Sequence, residues 1–77
     1  MNKTRRKWLV DIIDQLTEAK GELENISEEE HEAYDNLPES IQFSERGETI
    51  TENADDIDTA ISDLEDIIDS LQEITER

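Results

Sequence analysis

The residues of this chain with chemistry to offer are its carboxylates. Glu52, Asp56, Asp63, Asp66 and Glu73 recur at steps of three, four and seven residues, and Asp55, Asp58, Glu65, Asp69 and Glu76 form a second such line. Asp11, Asp14, Glu18, Glu22 and Glu29 do the same nearer the N-terminus. On a helix, side chains three or four residues apart start about 5 to 6 Å from one another. That interval is comparable, to order of magnitude, with the step between phosphates along a nucleic-acid strand. Rigid double rows of carboxylates would therefore suit a groove built for phosphates, and the candidate partner-binding face is Glu52, Asp55, Asp56, Asp63, Asp66, Asp69 and Glu73.

Other uses of acids fit less well. Hydrolytic catalysis by paired carboxyls needs one of them raised in pKa within a cleft, and a thin helical body offers none. An enzyme is not expected, and no catalytic or cofactor-binding residue is assigned. A calcium loop starting at Asp56 would place Ala60 where an oxygen ligand is required and Ile61 where glycine is required. His31, the sole histidine, sits among Glu28, Glu29, Glu30 and Glu32, but a zinc-binding helix needs a second His. No metal is expected. There is no cysteine, so disulfides and thiolate sites are excluded.

The charge balance sharpens the first reading. The 77 residues carry 23 acids and 7 bases, a net charge of -16. Lys3, Arg5, Arg6 and Lys7 hold four of the bases, and every acid follows Trp8, so residues 8–77 carry -20. Such a body repels nucleic acid and anionic membranes and attracts a basic protein surface. No apolar run approaches a membrane span, and the amphipathic stretch after the basic start does not resemble a secretion signal, so a cytoplasmic location is expected. Stability alone would favour Lys alternating with Glu, yet no base stands between Glu48 and Glu76, and many of the acids are Asp, a poorer helix former. Solubility is the competing explanation of these acids.

The elements that must hold the acids follow from apolar spacing. Phe43, Ile50, Ile57, Leu64 and Leu71 fall every seventh residue, and Ala60, Ile67 and Ile74 lie three residues further on. Gly47, Ala54, Ile61 and Ile68 add a third row, so heptad positions a, d and e form one wide stripe. In the first half Leu9, Leu16, Leu23 and Leu37 occupy a, with Glu30 an irregularity, and Ile12, Ala19, Ile26 and Ala33 occupy d. Composition this acidic also fits disorder, but disordered tails rarely keep Ile and Leu in register over several heptads.

One domain is expected, with residues 1–4 a frayed tail, a helix over 5–36, a connection over 37–43 and a second helix over 44–75. Basic residues in a first turn oppose the helix dipole, hence the fraying. Pro38 ends the first helix, and Ser44 caps the second with Gly47 permitting a close backbone approach. A start at Thr49, boxed with Glu52, is the alternative. The fold class is all-α, an antiparallel helical hairpin resembling a coiled coil. The stripe is wider than two helices need, so two copies are expected to pair into a four-helix bundle through Leu16, Leu23, Ile50, Ile57, Ile61, Leu64, Ile68 and Leu71. The opposing repulsion should make this homodimer sensitive to salt. Trp8 reads either as packing at the end of the stripe or as an anchor for a partner.

The run Asn36-Leu37-Pro38-Glu39-Ser40, followed by Ser44-Glu45-Arg46-Gly47, resembles one in small acidic proteins of phages and mobile elements in Gram-positive bacteria. Those proteins similarly begin Met-Asn-Lys with a basic cluster and end in an acidic amphipathic helix, so the likeness covers most of the chain. Trp8 and Phe43 depart from the pattern. The resemblance implies a setting in which small acidic proteins block host nucleic-acid-binding or defence proteins, and it assigns no site residue. Two expectations result. In one, the chain is an inhibitor whose acids occupy a basic, nucleic-acid-binding surface. In the other, it is an assembly helper that meets its partner through the apolar stripe.

Overall fold

The computed structural model describes all residues from Met1 to Arg77. Three helices follow one another: α1 over Lys3–Asp35, α2 over Glu39–Gln42 and α3 over Glu45–Glu76. α1 and α3 pack along each other as a helical hairpin whose backbone spans 59 × 15 × 13 Å. Lys20 meets Glu65, whereas Ser27 meets Asp58, so seven residues forward on α1 is seven back on α3.

Local chemistry sets the ends. α1 starts at Lys3, two residues earlier than the basic cluster suggests, because the Asn2 carboxamide oxygen accepts from the Arg5 backbone N–H at 2.8 Å. That bond satisfies a donor no earlier turn could reach. Asn36 closes the helix at the approach to Pro38, its N–H donating to the Glu32 carbonyl. The connection then tightens into α2, and the Gln42 side-chain amide donates back to the Tyr34 carbonyl at 3.1 Å. Ser44 precedes α3, but its hydroxyl donates to the Ile41 carbonyl instead of capping the helix. Thr49 lies within α3, its hydroxyl bonded to the Glu45 carbonyl, so the helix does not begin there.

Gly47 explains how α3 can start so close to the connection. It is buried, and a Cβ at that position would stand 2.1 Å from the Gln42 carbonyl oxygen. Only hydrogen fits there. Gly47 belongs to the row Gly47, Ala54, Ile61 and Ile68, which loses solvent along the seam.

The residues that lose most solvent confirm the phase. On α1 they are Arg6, Leu9, Ile13, Leu16, Lys20, Leu23, Ser27, Glu30 and Tyr34, at alternating steps of three and four. On α3 they are Gly47, Ile50, Ala54, Ile57, Ile61, Leu64, Ile68 and Leu71, with Ile74 and Thr75 beyond them. The seam is therefore built from positions a and e. The d row stays outside it: Ala19, Ile26, Ala33, Asn53, Ala60 and Ile67 are exposed, and Ile12 and Ile74 are half-buried. The three-row stripe thus splits, since two helices can turn only two positions per heptad toward each other. Ser27 and Lys20 enter the seam where the sequence offers apolar Ile26 and Ala19 beside them, and each finds an acid on α3.

Candidate binding surface

Helix geometry carries the acids outward. Glu52, Asp55, Asp56, Asp63, Asp66, Asp69 and Glu73 are all exposed on the arc of α3 opposite the seam. Asp11, Asp14, Glu18, Glu22 and Glu29 are likewise exposed on α1. None of these carboxylates has a cationic side chain within 4.0 Å; the ion pairs are Lys20 with Glu24 and Glu65, and His31 with Asp58. From Glu48 to Glu76 the outer face of α3 therefore carries a single sign, available to an approaching cation, whereas exposed Lys3, Arg5 and Lys7 interrupt it at the start of α1.

Asp58 and Glu65 behave differently from the line of acids they belong to. Both turn toward α1. Asp58 accepts from the Ser27 hydroxyl and lies 3.0 Å from His31 Nε2, while Glu65 lies 3.3 Å from the Lys20 ammonium. The Ser27 bond, then the His31 bond, hold the Asp58 carboxyl below its ordinary value. The Asp58 bond raises His31, against some desolvation, with Asp55 and Asp35 adding to the pull. Lys20 is raised chiefly by its bond to Glu65. These groups pin the register of the hairpin. Spacing alone cannot separate them from the outward acids, because a change of phase by one position exchanges the two sets.

The eight residues expected at the association core, Leu16, Leu23, Ile50, Ile57, Ile61, Leu64, Ile68 and Leu71, are all placed at the seam between α1 and α3. A feature the spacing concealed is a second apolar row on the outside. Ile26 is 46% exposed and Ile67 51%, and Trp8, 67% exposed, lines a shallow hollow with Met1, Arg5, Leu9 and Ile12 at the same side of α1. Its signal was present in the width of the stripe. A further hollow lies under the connection, where Tyr34 and the 76%-exposed Phe43 stand beside Glu48, Glu52, Asp55 and Asp56. No helix is long and apolar enough to cross a membrane. Comparison with models of protein families, with characterised proteins and with solved structures finds no match to this chain.

Proposed function

We propose that this chain is a non-enzymatic, acidic protein-binding module whose carboxylate face occupies a basic, nucleic-acid-binding surface of another protein. In the setting its connection sequence resembles, that partner is a host nucleic-acid-binding or defence protein, and the chain is a phage or mobile-element inhibitor acting as a mimic of DNA. The observation that carries this reading is the run of exposed, unpaired carboxylates along a straight helical rod. Two antiparallel hairpins joined as a four-helix homodimer would present that face twice. A contact made of many charges weakens steeply as salt rises, and it should be displaced by the polyanion it imitates. Capture from a lysate at two salt concentrations, followed by elution with double-stranded DNA, tests this directly. Replacing Asp56, Asp63 and Asp66 together with Asn should abolish capture with helicity unchanged; capture that survives the swap would refute the proposal.

A second reading, an assembly helper that docks through apolar side chains, is favoured by the exposure of Ile26 and Ile67. Under it, Ile67→Lys abolishes capture and the Asn triple variant does not.

A further inference from the structure

The outer apolar row and the uneven charge of the rod together say how two copies meet. Only five of the 77 residues are buried within one hairpin, a thin core for a chain of this size. Outside that core the step between Lys20–Glu65 and Ser27–Asp58, carried along the seam, sets Ile26 level with Ala60, Ala19 with Ile67 and Ile12 with Ile74. These six residues lie along one side of the hairpin, because the equivalent heptad positions of two oppositely running helices fall on the same flank. Ile26 and Ile67 are about half exposed there. Large and small side chains alternate along α1, Ile12, Ala19, Ile26, while on α3 the small Ala60 is followed by the large Ile67 and Ile74.

We infer that this face is where a second copy of the chain docks, and that the two hairpins lie head to tail. The inference rests on the dimer of the proposed function and supplies its face and direction. Turning one hairpin end over end sets α1 on its mate's α1 and α3 on its mate's α3. Ile26 then meets Ala19 of the partner subunit, and Ala60 meets the partner subunit's Ile67, large side chain on small. Charge selects this direction. Residues 21–65, the half next to the connection, hold 16 acids and one base, a net of -15. Residues 1–20 and 66–77, the other half, hold seven acids and six bases, a net of -1. Head to tail, each strongly acidic half lies against a nearly neutral one. Side by side in the same direction, -15 would face -15. The rim repeats the preference: Glu22 and Glu29 flank Ile26, and Asp56 and Asp63 flank Ala60. Parallel copies would set Glu29 against the partner's Asp56. Head to tail, Glu29 reaches the level of Gln15 of the partner subunit and Asp56 that of the partner's Ser70.

Light scattering and spin-label distances on the full chain test this. The wild type should have twice the chain mass of 8.9 kDa, with dimer affinity rising as salt rises. Ile26→Lys with Ile67→Lys should halve the mass and leave the circular dichroism spectrum unchanged; Ala60→Lys alone, at an exposed position, should weaken the dimer at least tenfold and serves if the double variant loses helicity. Because the chain has no cysteine, a single label at Thr4→Cys reports direction. Head-to-tail copies separate the two labels by about 50 Å or more at 1.5 Å per residue, whereas parallel copies hold them within roughly 30 Å. A wild-type dimer that persists in the lysine variants overturns the face, and a short label distance overturns the direction; both leave acidic binding to a basic partner intact. A wild type monomeric at every concentration and salt level, its apolar row covered by some other partner, overturns the inference outright. Loss of capture in the Asn triple variant, or its absence, with the dimer mass retained, bears on the proposed function alone.

Discussion

The two glycines should respond in opposite ways to the same substitution. Glycine within a helix is ordinarily about 1 kcal/mol worse than alanine. Gly21 follows that rule, since a Cβ there would meet nothing within 4 Å. Gly21→Ala should therefore stabilise the hairpin by about 1 kcal/mol. With an unfolding entropy of about 2.1 cal/mol/K per residue, that corresponds to a rise of about 6 °C in Tm for a chain of this length. Gly47→Ala gains the same backbone preference but sets its methyl 2.1 Å from the Gln42 carbonyl oxygen, 2.6 Å from the Gln42 carbonyl carbon and 2.7 Å from the Ile41 carbonyl oxygen. All three are backbone atoms, held by the Gln42 N–H to Pro38 carbonyl bond and the Ser44 N–H to Ile41 carbonyl bond, both at 3.0 Å. They must retreat by about an ångström to reach ordinary contact, and overpacking of this kind costs about 1–3 kcal/mol. At the upper end of that range, where an immovable neighbour belongs, the net effect is a loss of about 1–2 kcal/mol and a fall of about 6–12 °C. Thermal melts by circular dichroism, run at one chain concentration so that association does not enter, measure the difference. A Gly47→Ala variant that melts as high as Gly21→Ala would refute the close approach and with it the phase assigned to α3.

Neighbouring isoleucines should separate the seam from the outer row. Ile68→Ala, in the seam at 7% exposure, should cost about 2–4 kcal/mol in urea titrations, while Ile67→Ala next to it should cost less than about 1 kcal/mol under conditions where the chain is monomeric. The His31–Asp58 pair predicts a pH dependence with a definite sign. His31 is raised above 6.5 on folding, so its contribution is fully present below that value and is lost as pH climbs through the raised one. Asp58 is lowered from 3.8, so its contribution is present above that value and is lost as pH falls through the lowered one. His31→Gln should remove the decline on the alkaline side and spare the acid limb, as followed by Tm against pH. Finally, because unpaired acids repel one another across the whole rod, Tm should rise with added sodium chloride, and the Asn triple variant should gain less than the wild type.

Heptad spacing by itself determined that the chain is helical, that the helices are long, and that the acids stand opposite the apolar stripe. Those features are periodic, and period is a property of a single helix. Pro38 located the break between the helices. Only the tertiary structure decided which two of the three apolar rows close on each other. Ile26 and Ser27 differ by one position, and the apolar residue is the one left outside, because Ser27 has Asp58 to meet. The same choice removed Asp58 and Glu65 from the outward acids while leaving Asp56 and Asp63 among them, for a rotation of α3 by one residue would exchange the sets. That rotation is fixed by the packing of Gly47 on the Gln42 backbone and by the partners of Lys20 and Ser27. The last two are contacts between segments distant along the chain, and no periodicity within either segment encodes them.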